Sequence, residues 1–263
     1  MIERRAIDFR LARQSELLRL AYVLDQRNLI RDSEPLRSAA ALCVKPDVRQ
    51  GEQVWGYEFD ALEFLKVDDE SFRHSRPENS VILSLELGVS LSGPCLDENA
   101  PDNPFSKLSG DIVVNGLTAD EKKILKCAWH LDKHIRDKEA DEPALAHPEY
   151  HFQHGGYNIR QLGDYGLHQI LESPRIAHPP LDAILLVDFI LSNYCGSDWK
   201  TLRLEDSTYK ELVVSAQERY WAPYALATAV VSKTITATSP WKAKEIWPQL
   251  LIDRLVLANS AEA

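Results

Sequence analysis

From Val81 to Leu91 the sequence alternates: Val81, Leu83, Leu85, Leu87, Val89 and Leu91 are separated by Ile82, Ser84, Glu86, Gly88 and Ser90. Successive side chains of a β-strand point to opposite faces, so a period of two predicts a strand with one buried face. Ile112 to Val114 can resume pairing with it, beyond a loop or junction at Ser92 to Gly110 that carries Pro94, Pro101 and Pro104. Elsewhere the period is helical. Leu11, Leu17, Leu20, Ala21 and Leu24 predict an amphipathic helix from about Ala12 to Ile30. Thr118-Ala-Asp-Glu121 has the form of a capping box, which predicts a helix running to about Asp137. Pro179 and Pro180 open an almost wholly apolar helix, Leu181 to Tyr194, of the kind that belongs in a core. Asp206 to Thr208 cap another that Pro223 must break or kink, and Ser239-Pro240 opens a last one. One long strand with short partners in the first half, then a helical second half, predict a helix-dominated α+β fold. It divides into residues 1–110 and 111–263, or forms one continuous domain.

Lys and Arg number 30 against 40 Asp and Glu, a formal charge of −10, which argues against a general nucleic-acid binder because such binding rests on neutralising phosphates. A chain of 263 residues with 44% hydrophobic and 27% charged residues can bury a core without disulfides or a stapling metal. The longest near-continuous apolar stretch, Ala183 to Leu191, is about half of what a bilayer crossing needs. The cysteines Cys43, Cys95, Cys127 and Cys195 are scattered, and the start Met1-Ile-Glu-Arg-Arg5 has no apolar signal region, so free thiols in a reducing cytoplasm are expected.

Five of the eight histidines, His130, His134, His147, His151 and His154, fall within a 25-residue window. On the helix expected after Thr118, Ile124, Ala128, Leu131 and Ile135 form a core-facing stripe, with Cys127, His130 and His134 along its edge. Asp132 then points to the opposite flank. That geometry sets aside His130-x-Asp132 as the first two ligands of a two-histidine, one-carboxylate iron site. In an extended His147-Pro-Glu-Tyr-His-Phe-Gln-His154 segment, His147, Glu149, His151 and Gln153 project to one side, whereas a helix would group His147, His151 and His154. Gly155 and Gly156 follow, fit for a tight turn or a close approach.

Single histidines and an i, i+4 pair on an exposed helix are most often structural, but two segments each offering borderline ligands with a carboxylate among them fit zinc or iron chemistry. The candidate ligands are Cys127, His130, His134, His147, His151 and His154, with Glu149 as the catalytic proton carrier. Paired cysteines, a following Pro-Cys-x-x-Cys and a His-Glu-x-x-His are all absent from the sequence, which argues against a structural zinc site, a cytidine deaminase and a common zinc protease. Asp188, a carboxylate inside the apolar helix, is either a buried hydrogen-bond anchor or the acceptor that orients a ligand histidine. Asp182 is explained by the helix dipole, while His168 with Glu172, and His178, read as ordinary surface and loop residues.

At Cys127, Glu149, His151 and His154 the sequence resembles the metal-binding domain named CEHH after that signature. The resemblance implies a helix-rich cytoplasmic protein, encoded in bacteria beside ubiquitin-like proteins and conjugation enzymes and working with such a partner in defence against phage. His130, His134 and His147 have no place in that signature. A metal-dependent hydrolase acting in such a pathway is the leading expectation. The competing one is a non-enzymatic helical adaptor, docking a partner through the tryptophan-rich end with Trp199, Trp221, Trp241 and Trp247. A nuclease-type effector would need a local basic groove.

Overall fold

A computed structural model describes residues 2–49, 51–67, 81–95, 103–118, 120–133, 148–160 and 173–229. Two helices, α1 (Ile2–Gln26) and α2 (Glu34–Cys43), precede six strands: β1 (Asp47–Arg49), β2 (Glu52–Glu63), β3 (Val81–Pro94), β4 (Lys107–Leu117), β5 (Ile124–Lys133) and β6 (Tyr150–His154). A short helix α3 (Tyr157–Arg160) and strand β7 (Ile176–Ala177) follow, then α4 (Ala183–Tyr194), α5 (Gly196–Glu205) and α6 (Ser207–Ala229). The strands form one sheet in chain order, each antiparallel to the next. Helix domination is thus overturned: four strands run for ten residues or more, and the seven-stranded sheet is the frame of the molecule. Residues 110 and 111 sit together inside β4, and one apolar core joins residues from both sides of that point.

The alternation at Val81–Leu91 is realised in β3, whose Leu85, Leu87, Val89 and Leu91 are buried. Trp55, Tyr57 and Phe59 of β2, Leu108 and Ile112 of β4, Leu131 of β5 and Phe152 of β6 join them in the core under the helices. Gly110 lets α4 approach the sheet, since a Cβ there would lie 2.6 Å from Leu186 Cδ1. The opposite face is polar, with Glu86 and Ser90 on β3 and Ser109 and Asp111 on β4.

The largest correction lies between Thr118 and Lys133. The expected helix is the β4–β5 hairpin. Thr118 and Asp120 bond locally, but in a turn: Thr118 Oγ1 donates to Asp120 Oδ1 at 2.6 Å, and the Lys123 N–H donates to Thr118 Oγ1 at 3.1 Å. Ser, Thr and Asp serve turns as readily as helix caps. Leu125, Cys127, Trp129 and Leu131 alternate as well as Ile124, Ala128 and Leu131 match a helix, and nine register pairs with β4 select the strand.

Of the other helices, α1, α4 and α6 correspond to expected ones with shifted ends, whereas α2, α3 and α5 have no counterpart in the sequence reading. Helix α1 starts far before Ala12 and stops at Gln26, where Asn28 (φ 51°) turns left-handed and the Leu29 N–H donates back to the Leu24 carbonyl. Buried Arg10 clamps it to the sheet through the Val54 and Asp47 carbonyls. Helix α6 continues past Pro223 to Ala229. No helix among the described residues is long and apolar enough to cross a membrane. The helix expected at Ser239-Pro240 lies outside the described residues, as do Trp241 and Trp247.

Asp182 is the N-cap of α4 and not part of its first turn: its side chain accepts from the Leu185 N–H at 3.0 Å. Burial pushes its carboxyl up to about 6. The unfolded carboxyl titrates near 3.9, so the folded chain holds an extra proton between those values, and the stability this gives at low pH is lost as pH rises through 6. Asp182→Asn keeps a cap acceptor without the charge. In urea unfolding it is expected to gain roughly 1–3 kcal/mol at pH 7.5 and almost nothing at pH 4. No gain at pH 7.5 would show that the charge is compensated in place.

Candidate metal centre

Strand geometry, not helix geometry, decides what the histidine window does. Residues two apart on a strand share a face. On β5, Cys127, Trp129 and Leu131 therefore point toward the helices, while His130 and Asp132 stand together on the polar face. The register of β6 pairs Asp132 with His151 and His130 with Gln153, which brings His151 alongside on the same face. His130 Nε2 lies 3.3 Å from Asp132 Oδ2. The rings of His130 and His151 are 6.3 Å apart between centroids, at 82° to each other. One ligand atom from each of His130, Asp132 and His151 lies within 4.8 Å of the others, so the group can hold a metal ion. His130-x-Asp132, incompatible with a helix, is the core of the site once the segment is a strand.

The chain after β6 packs back over this group. Gly155 (φ 97°) and Gly156 (φ 76°) occupy the left-handed region that side chains disfavour. The Gly155 N–H donates to the Ala128 carbonyl at 2.8 Å, and a Cβ on Gly156 would sit 2.7 Å from His130 Nδ1 and Cε1. This turn backs the His130 ring and fixes its position. Beyond it, Asn158 Nδ2 donates to Asp111 Oδ1 at 3.0 Å. Asp111 is the cross-strand partner of His130 on β4. Burial raises its carboxyl pKa, the Asp132 charge raises it further, and His130 offsets part of the rise.

From Asp111 a cleft of about 650 Å³ extends along the same face to the edge of β2. Its walls carry Glu58, Asp60, Glu86 and Ser109, and no Lys or Arg is among the described residues that line it. At this end β2 bulges between Phe59 and Leu62, with Ala61 at φ 52°. A bulge re-aims the side chains around it, and here Asp60 comes over Gly88, with Oδ1 3.8 Å from where a Cβ of Gly88 would be.

The other candidates are dispersed. Cys127 and His154 meet on the helix-covered face, Sγ to Nε2 at 3.5 Å, with His154 edge-on to Trp129. Burial raises the Cys127 thiol and lowers the His154 imidazole, so both are held neutral there. Glu149 accepts from Asn103 Nδ2 and lies 3.6 Å from Lys133 Nζ, and it is not one of the converging ligands. The four residues that resemble the CEHH signature are thus divided between the two faces. Asp188 is an anchor among the last three helices, accepting from Trp199 Nε1 (3.0 Å), Arg203 Nε (3.1 Å) and Tyr209 OH (2.9 Å). His178 donates through Nδ1 to the Pro179 carbonyl and packs on Phe152. His134, His147, His168 and Glu172 lie outside the described residues. Asp111 and Asp132 were the residues missing from the expected site, and the alternation of Cys127, Trp129 and Leu131 was the signal that could have found Asp132.

No family model matches this chain, and neither curated proteins nor solved structures contain a match to it.

Proposed function

We propose that the protein is a metal-dependent hydrolase whose centre is built by His130, Asp132 and His151. The observation that carries this reading is the convergence of those three side chains on one face of the sheet, on the same face as a cleft that reaches Asp111, the cross-strand partner of His130. Two imidazoles and one carboxylate are the ligand set of hydrolytic zinc sites, which keep a further position for water or substrate. The metal would polarise a carbonyl and lower the pKa of bound water from 15.7 to about 7. Asp111, beside His130, replaces Glu149 as the group that takes the proton from water and delivers it to the leaving atom. Asn158 orients that carboxylate through Oδ1.

The acidic walls of the cleft favour a substrate with positive charge over an anionic one. Work beside a ubiquitin-like modifier in the bacterial cytoplasm is the setting implied by the CEHH resemblance, and four free thiols suit a reducing compartment. In that setting an acyl bond to an amine is the target. The same three ligands also suit ferrous iron, so iron is the second metal to test.

Full-length protein purified without chelator should carry close to one zinc per chain by elemental mass spectrometry. It should hydrolyse an amine-bearing activated ester faster than its carboxylate-bearing counterpart, lose that activity to a chelator and regain it with zinc. Iron in place of zinc, with oxygen consumption and no hydrolysis, would replace the hydrolase by an oxidative enzyme. Protein that neither carries nor takes up zinc, iron, manganese or nickel ends the metal reading.

A further inference from the structure

We infer that the exposed side of α1 is a self-complementary interface at which two copies of this chain pair antiparallel about a two-fold axis. Ile7, Leu11, Leu18 and Tyr22 are 47%, 48%, 39% and 60% exposed, against 0–3% for Ala6, Leu17, Leu20 and Leu24 of the same helix. At about 100° per residue the four fall within an arc of roughly 60°, turned about 135° from the buried stripe. Helix α1 therefore has two apolar stripes: one is covered by its own fold and one faces outward.

The order of residues along the outward stripe points to the occupant. Ile7 and Tyr22, and Leu11 and Leu18, are placed symmetrically about the point between Gln14 and Ser15. In an antiparallel pair centred there, Ile7 meets Tyr22 of the partner subunit and Leu11 meets Leu18 of the partner subunit, and each contact occurs twice, as a two-fold interface requires. Charge follows the same symmetry. Arg4 comes opposite Asp25 of the partner subunit at each end; because Asp25 already accepts from Ser33 Oγ at 2.5 Å and from Arg37 Nη2 at 3.3 Å within its own chain, this exposed pair sets register more than it adds affinity. Gln14 lies next to the axis, where two amides can bond each other. Its spacing of four from Leu18 and three from Leu11 matches the seam of packed helices.

Size is consistent with a modest dimer. The four apolar side chains expose on the order of 400 Å² per copy, within the range of functional surface patches. Two such faces with their flanking Arg4, Gln14, Ser15 and Asp25 bury about 1,200 Å², the low end of specific interfaces. The metal ligands lie on the polar face of the sheet and are not part of this surface, so pairing and metal binding can fail separately.

Sedimentation velocity on the full chain, from about 1 to 300 µM, is expected to show a reversible monomer–dimer equilibrium. Leu11→Glu with Leu18→Glu places like charges across the axis and should shift the dissociation constant at least 100-fold, leaving a monomer of unchanged circular dichroism and melting temperature. Ser15→Cys beside the axis should give a covalent dimer on mild oxidation that the parent chain does not give. A parent that stays monomeric at the highest concentration overturns the inference, whatever else covers α1. So does a double glutamate variant that dimerises as the parent does, or a Ser15→Cys variant that forms no more cross-linked dimer than the parent.

Discussion

His151→Ala is expected to remove nearly all zinc binding while leaving the fold in place, and His130→Ala and Asp132→Ala should do the same. Each supplies one of the three ligand atoms that converge among the described residues. Losing a group that merely orients a ligand costs about 10–100-fold in affinity, so losing a ligand should cost 100-fold or more. Competition with a chromophoric chelator measures this directly. The informative controls are on the other face of the same strands. Cys127→Ser and His154→Ala change a pair that faces the helices, and affinity should stay within about twofold of the parent. Loss of binding in those controls, with binding retained in the His151 variant, would move the centre to the Cys127–His154 side.

Asp188→Ala is expected to be the most damaging single change to stability. Asp188 is 7% exposed, and its carboxylate takes hydrogen bonds from α5 through Trp199 and Arg203 and from α6 through Tyr209. Its removal leaves the Tyr209 hydroxyl and the Trp199 N–H without that acceptor and Arg203 without its ion pair. Unpaired buried groups cost about 1–3 kcal/mol each, and Arg203 is partly exposed, so a loss of roughly 3–5 kcal/mol is expected. For a chain of this size that lowers the melting temperature by about 6–20 °C. Asp188→Asn keeps the shape without the charge and should lose about half as much. Metal affinity should be unchanged in both. A weakened metal site in a stable Asp188→Asn variant would instead restore Asp188 as a group that orients a ligand.

Parts of the fold were legible because local patterns admitted a single reading. Alternation over Val81–Leu91 fits nothing but a half-buried strand, and β3 covers it. The apolar run after Pro179-Pro180-Leu181-Asp182 fits a core helix with a cap, and α4 is one. The segment from Thr118 to Lys133 was different. Thr118, Asp120 and Glu121 suit a helix start and a tight turn equally, and the apolar residues behind them satisfy a period of two as well as a period near four. Nothing within those residues chooses.

The choice governs the site. On a helix, His130 and Asp132 diverge by about 200°, whereas on a strand they stand side by side. Composition and local spacing determined that this chain folds, that it contains β3 and α4, and that potential metal ligands crowd into residues 127–154. Tertiary structure alone decided which of them meet. Pairing of β5 with β4 converted the segment to a strand, and the register with β6 placed His151 beside Asp132 while leaving Cys127 and His154 on the other face. Strand pairing joins residues distant in sequence through backbone hydrogen bonds that every residue type can make, so the side-chain pattern of one segment carries little record of its partner or its register.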